Sequence, residues 1–381
     1  METNALCDMK IAGRVAASQI GDSFESYGCR VNDLSIDDLF GQYEKAGFLY
    51  PAKMKRLAPF LPLVKDNWRK ARRAGELIQW VATFDNSAAG EWSSISSWLS
   101  TNTGWVTQHL VIIGSPLASR AVMLAGAAVR LTDGGGGSHQ NWFRRNNRYA
   151  NKIFGSSAET LGEEHCWIGD YGYYFLARRQ LQVPSDDLFI SDARHTDSEE
   201  LKNFIACARS AVFGEAEGLF DEDINLDAVD QLYQRVGLRR YRRVKLVRDR
   251  RSSRLIGAAF AYRGPLGINF SFLENRCDLL LDPALSQDLA VSVCNALCFG
   301  VSDAYRDFEP NVMPVLVDTR QSAPLVSMGA DHIRDYAQSI WLNTGLEKWY
   351  RHTERFYEGL VRTGRRRGLG IQHPQPQISV G

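Results

Sequence analysis

The 381-residue chain is 44% hydrophobic and 23% charged, and its 45 Lys and Arg against 44 Asp and Glu leave a formal net charge of +1. Length and composition exclude a single small domain and a disordered chain, and predict two domains with full hydrophobic cores. The near-zero charge balance weighs against general nucleic-acid binding, and no apolar run approaches the roughly 20 residues of a membrane-spanning helix.

Residues 1–50 read as a polar helical extension, with Ser35 of "SIDDLF" as an N-cap ahead of an acidic first turn. No charged and then apolar leader precedes it, so a cytoplasmic protein without membrane attachment is expected. The first domain is predicted over 51–182. It opens with a basic amphipathic helix in "FLPLVKDNWRKARRAGEL", where Leu61, Val64 and Trp68 share one face and Gly75 ends the pattern. Strands "LIQWVATF" and "SSISSWLS" flank a turn at "DNSAAGEW", and "WVTQHLVII" runs into the junction "LVIIGSPLASRAVMLAG". The glycine run at 133–140 predicts a flexible loop, "NWFRRNNRYANKIFG" a helix, and "WIGDYGYYFLARR" an aromatic strand. "QVPSDD" is the expected linker, centred on Val183 to Asp187.

The second domain is predicted over 186–350. Strand "DLFISDA", helices "SEELKNFIACARSAVF" and "LDAVDQLYQRVG", and the hairpin "RRVKLVRDRRSSRLIGAAFAYRG" come first. A strand in "INFSFLENRCDLLLDP", a helix in "ALSQDLAVSVCNALCFGVSDAY", the strand "NVMPVLVD", a short helix "QSAPLVSMGA" and the strand "IRDYAQSIWLN" follow. Residues 351–381 are expected to be a C-terminal helix and a disordered tail. The order predicts an α/β or α+β fold with two domains, each a mostly antiparallel central sheet flanked by helices. The seven cysteines form no Cys-x-x-Cys pair and read as reduced thiols, with Cys294 and Cys298 as core residues and no metal site.

At the first junction, Gly114 lets a backbone approach closely, Pro116 suits a first helical turn, Ser115, Ala118 and Ser119 leave room, and Arg120 adds a cation. A helix start of this kind can hold a phosphate, or can simply begin a helix. The element order around it resembles the GNAT acyltransferase superfamily, and does so twice, over 50–180 and 186–345. The junctions at Val111 to Arg120 and Leu279 to Asp288 lie where that family binds the coenzyme pyrophosphate, and "NRYANKIFG" and "DTRQSAPLVSMGA" are similar to its Asn-x-x-Ala helix. The resemblance implies an acyl-CoA donor, acetyl-CoA among them, and a small amine or protein amine as acceptor. Gly114, Ser115, Ala118, Ser119 and Arg120 are then the cofactor-binding residues, because Asp282 and Asp288 of the second junction would repel a pyrophosphate. The family's Gln/Arg-x-x-Gly-x-Gly/Ala signature is absent from both halves, and so is the tyrosine that often serves as its general acid, Phe154 and Leu325 falling near that position.

Acid–base chemistry then falls to Glu91, His109 and Tyr173, each of which also has a plain structural reading in a turn, a core or an aromatic strand. A second class of function comes from arginines interleaved with aromatics. Arg144, Arg145 and Arg148 lie among Trp142, Phe143 and Tyr149, and Arg240 and Arg242 belong to a hairpin dense in basic residues. Such surfaces suit phosphates and stacked bases, so a non-catalytic sensor of a cyclic dinucleotide or RNA stands beside the acyltransferase reading, with a solvated charged face as the bland alternative.

Overall fold

The computed structural model describes residues 22–132 and 137–366. The N-terminal 1–21, most of the glycine run and the tail from 367 lie outside the described residues.

Among the described residues twelve strands follow one another in two rounds of the same order. The first round is β1 (Cys29–Val31), α1 (Ile36–Lys45), α2 (Pro51–Leu57), α3 (Leu61–Arg73), β2 (Gln79–Asn86), β3 (Glu91–Leu99), β4 (Gly104–Ile113), α4 (Ser119–Thr132), β5 (Ser138–Phe143), α5 (Arg148–Ile153), α6 (Ser157–Leu161) and β6 (Cys166–Leu176). The second is β7 (Leu188–Asp192), α7 (Ser198–Ala208), α8 (Ala211–Ala216), α9 (Asp227–Gln234), β8 (Tyr241–Asp249), β9 (Leu255–Arg263), β10 (Cys277–Leu281), α10 (Gln287–Val301), β11 (Met313–Asp318), α11 (Ala323–Ser327) and β12 (Asp331–Leu342), with α12 (Leu346–Arg366) closing the chain.

The compact units do not coincide with these rounds. One unit runs to Trp167 and resumes at Ser339, and the other is Ile168–Gln338. The chain therefore changes units inside β6 and again inside β12, whereas the expected crossing was at Val183 to Asp187. Strand periodicity carries the reason, since an apolar-aromatic strand reads the same whichever sheet it joins. The stretch assigned to an extension also contributes structure, because β1 pairs antiparallel with β2 (Cys29 opposite Phe84).

In the first unit β1, β2, β3 and β4 pair antiparallel, and β5 lies parallel to β4. The end of β12 joins this sheet, with Leu342 N–H donating to His165 O (2.8 Å) and Asn343 N–H to Gly137 O (2.9 Å). Both faces of β3 are covered, which is why its whole length from Trp92 is buried, serines included. On one face α1 and α3 bring Phe40, Tyr43 and Trp68 together at ring distances of 5.4–6.4 Å. On the other lie α4, whose small residues allow close approach, and α12. Trp142 and Phe143, expected on a helix, end strand β5, and the helix starts only at Arg148, with Asn147 Oδ1 accepting from Ala150 N–H (3.2 Å).

The second unit has β7, β8, β9 and β10 antiparallel, β11 parallel to β10, and β6 antiparallel to β11. Each unit is thus the mixed, mostly antiparallel sheet with flanking helices that the element order implies. The hairpin β8–β9 forms as expected, but its alternation turns Arg242 to the same face as Val244 and Leu246, which is the core face.

Candidate functional site

Strand β4 carries a bulge opposite Ile95, where the ladder to β3 skips from Ser94 to Ser96 and His109 takes φ +55°. Its parallel ladder to β5 runs for three pairs, Gly104 to Ser138 through Val106 to Gln140. Beyond them side-chain amides span the two strands. Gln108 Nε2 donates to Trp142 O (3.0 Å) and Asn141 Nδ2 to Thr107 O (2.6 Å), both side chains being buried.

At the end of β4, Gly114 adopts φ +86°, and a Cβ there would sit 2.9 Å from Gly90 O and 3.3 Å from Glu91 Cγ. Only glycine fits, and Glu91 is consequently a neighbour of the junction. Ser115 Oγ accepts from Leu117 N–H (3.2 Å) and Ser115 O from Ala118 N–H (2.9 Å), while Pro116 has no N–H to offer. The turn before α4 therefore consumes the backbone donors that an anion would use.

What the junction does present is side chains. Ser119 Oγ lies 2.8 Å from Tyr149 Oη and 2.8 Å from Tyr357 Oη, and the two tyrosine oxygens are 2.6 Å apart. Ser119 also donates to Pro116 O (2.6 Å). Burial holds the Tyr149 hydroxyl up at about 12, and raises Tyr357 well above its ordinary range, so both stay protonated and act as hydrogen-bonding hydroxyls. This triangle joins the starts of α4 and α5 to α12. Arg120 follows Ser119 and Arg148 precedes Tyr149, so two arginines expected on separate grounds flank one cluster. Both are exposed, and neither has an ion-pair partner among the described residues. Arg145 is exposed one turn away with its guanidinium 5.6 Å from the Phe143 ring, and Arg144 is half-buried.

The remaining expected residues lie elsewhere. His109 sits among Trp68, Trp98 and Phe48 with ring centroids 5.5–5.6 Å away, and burial, then the Lys53 charge, pushes its pKa well below the ordinary value. Tyr173 belongs to the other unit, where its hydroxyl donates to Ser271 O (2.8 Å) and its ring meets Tyr336 (5.7 Å). Within the first unit Glu91 adjoins Gly114, whereas His109 lies in the aromatic core at the bulge.

Arg240 and Arg242 are not a ligand-binding surface. Arg240 is 1% exposed and paired with Glu274 (2.8 Å); Arg242 is fully buried and donates to Ile224 O (2.7 Å), Glu217 O (2.6 Å) and Gly218 O (3.2 Å). They belong to an internal charge network with Arg276, Glu217 and Asp278. Burial opposes ionisation of Glu217, but the Arg276 guanidinium (2.8 Å) and the Tyr262 hydroxyl (2.7 Å) outweigh it and lower its pKa. At Asp278 burial wins over Arg209 and Arg276, and the pKa is raised. The acids responsible are distant in sequence, which is why the hairpin alone suggested an exposed basic face. At the second junction Asp282 is already paired with Arg254.

Sequence reasoning named Tyr149 only as an aromatic neighbour of the arginines, and missed Tyr357, Gln108 and Asn141. The polar Gln108 inside the apolar run of β4 was the available signal; Tyr357 had none, being 238 residues from Ser119.

Among the described residues no group of His, Cys, Asp and Glu could hold a metal ion, and no helix is long and apolar enough to cross a membrane. No family model matches the sequence, and no curated protein matches it. Solved structures do show similarity. A GCN5-related N-acetyltransferase from Sphaerobacter thermophilus aligns over 70% of this chain and 81% of its own, at 8% identity and TM-score 0.36. A tandem GNAT protein from the clavulanic acid biosynthesis pathway aligns over 73% and 88%, at 9% and 0.37. A putative acetyltransferase from Pyrococcus horikoshii aligns over 82% and 89%, at 10% and 0.40. The topology itself, two rounds of a strand, helices, three antiparallel strands, a helix and a parallel fifth strand, gives this chain a divergent GNAT-like order of elements.

Proposed function

We propose that the first unit binds a phosphate-bearing acyl thioester such as acetyl-CoA and that the protein transfers its acyl group to an amine. The observation that carries the reading is the meeting of the β4–α4 junction with the start of α5, which sets unpaired Arg120 and Arg148 beside the Ser119–Tyr149–Tyr357 cluster. Guanidinium groups hold phosphate oxygens in charge-assisted, often bidentate pairs, so Arg120, Arg148 and Arg145 supply what the turn's spent N–H groups do not. The donor fits this end of the unit by side-chain charge. The thioester supplies an activated acyl carbon that the amine attacks, forming an amide and releasing the thiol.

Glu91 adjoins Gly114, where a carboxylate disfavours an approaching phosphate and stands next to the phosphate end of such a donor. With His109 in an aromatic core and Tyr173 in the other unit, the reaction proposed here rests on placing a deprotonated amine against the acyl carbon. The rate with acetyl-CoA and a small amine should then rise about tenfold per pH unit until the amine's own pKa, with amide product followed by mass. A bell-shaped profile abolished by Glu91→Gln would assign the base to Glu91 and contradict this route.

The same scatter of acid–base candidates favours a second reading, in which the arginine-flanked cluster binds a phosphate-bearing ligand without turnover. Binding of coenzyme A with no amide formed from any amine in a broad panel selects it. Either reading places the protein in the cytoplasm, in keeping with free thiols at Cys29, Cys166, Cys207, Cys277, Cys294 and Cys298.

A further inference from the structure

Strand β7 is the outer edge of the second unit's sheet and is bonded on one side only, to β8. Arg250 N–H donates to Asp187 O (2.9 Å) and Ala193 N–H to Val244 O (3.1 Å). Alternation therefore turns the backbone groups of Phe189 and Ser191 to β8 and those of Leu188, Ile190 and Asp192 outward. Leu188 N–H is taken by Ser185 O (3.1 Å) within its own turn, whereas the N–H and C=O of Ile190 and Asp192 have no partner among the described residues. Exposed edges are commonly closed by proline, lysine or an unpaired charge. The strand "LFISD" holds no proline or lysine, and its Asp192 is already paired with Lys245 (2.8 Å).

Two further features mark this edge. Phe189, opposite Arg248 of β8, is 49% exposed. The two ends carry opposite charges, since Asp186 in the turn before β7 and Arg194 in the extended backbone after it are both exposed, and neither has an ion-pair partner among the described residues.

We infer that β7 pairs antiparallel with β7 of a second copy of this chain, about a two-fold axis at Ile190. In that register Ile190 stands opposite Ile190 and Leu188 opposite Asp192. Ile190 N–H donates to Ile190 O and Asp192 N–H to Leu188 O, each bond made twice by symmetry. Phe189 lies diagonal to its symmetry mate on one face of the pair, within reach of an aromatic contact. The same register carries Arg194 of each copy to the turn holding Asp186 and Asp187 of the other, so opposite charges meet at both ends, whereas a parallel pairing in register would set like charges side by side. An edge of 5 residues buries little area, so the dimer is weak and concentration-dependent. The inference is independent of acyl transfer and of the arginine-flanked cluster.

Sedimentation equilibrium of the full chain over a concentration series tests it, with backbone hydrogen exchange as a second readout. Wild type should pass from monomer to dimer below about 100 μM, and the amides of Ile190 and Asp192 should exchange more slowly as it does. Phe189→Lys and Arg194→Asp change exposed positions, so they should leave the melting temperature unaltered and each raise the dimer dissociation constant by about tenfold or more. Asp186→Arg combined with Arg194→Asp exchanges the two charges and should return the constant to within about threefold of wild type. A monomer throughout the series, a dimer in which those amides exchange at the monomer's rate, a dimer indifferent to Phe189→Lys, or a charge-exchanged variant no tighter than Arg194→Asp alone overturns the inference.

Discussion

His109 shows how far a residue's type can mislead about its chemistry. As a histidine beside a candidate phosphate turn it invited an acid–base role, but its positive φ places it in a bulge and its ring lies in an aromatic core. Burial, reinforced by Lys53, depresses its folded pKa below the unfolded value of about 6.5. The unfolded chain then binds the proton more readily, so the stabilisation from a neutral His109 is complete above about pH 6.5 and is lost as pH falls from there towards the folded pKa. Its share of the slope approaches about 1.4 kcal/mol per pH unit within that window. Urea titrations between pH 7.5 and 5 should show a shallower loss for His109→Asn, a substitution that tolerates the positive φ. An unchanged slope would mean that His109 is protonated or solvated in the folded protein.

At the scale of elements, the sequence carried most of the strands and helices but not which face of each was buried. The β8–β9 hairpin was legible from its alternation, and Arg240 and Arg242 do share a side. That this side is the interior depends on Glu217 and Glu274, contributed by elements that local periodicity cannot pair with the hairpin. Trp142 and Phe143 were misplaced on a helix for a similar reason, since a short buried strand running into a helix gives no periodic break until Asn147 caps it. The Gly114 turn was legible because glycine there has a backbone cause. Arg242→Ala leaves two buried carbonyls and one part-buried carbonyl without their donor and removes a charge near Glu217, so it should cost about 3–5 kcal/mol in chemical denaturation. Exposed Arg243→Ala should change stability by no more than about 0.5 kcal/mol. Equal, small effects from both would return Arg242 to the surface.

For the whole molecule, the repeated order of elements was visible in the sequence, while the division into units was not. The first unit is completed by residues from Ser339 onward, including Trp341, Trp349 and Tyr357, all at most 6% exposed. A protease cut at Val183, which is 84% exposed, should therefore leave two fragments that co-elute until denaturant is added. Fragments that separate in native buffer would show that the first unit stands without its C-terminal part.

The proposed function assigns a phosphate-bearing donor to the cluster where the junction, α5 and α12 meet, and calorimetric titration of coenzyme A tests this most directly. Wild type and the Arg120→Ala, Arg148→Ala double variant are compared at 50 and 300 mM salt. Wild type should bind, lose affinity steeply with salt, and exceed the variant by about 2–4 kcal/mol at the lower salt, as expected for two charge-assisted pairs. Equal affinity of the two proteins, or binding indifferent to salt, would contradict the assignment of the phosphate-binding end of the first unit.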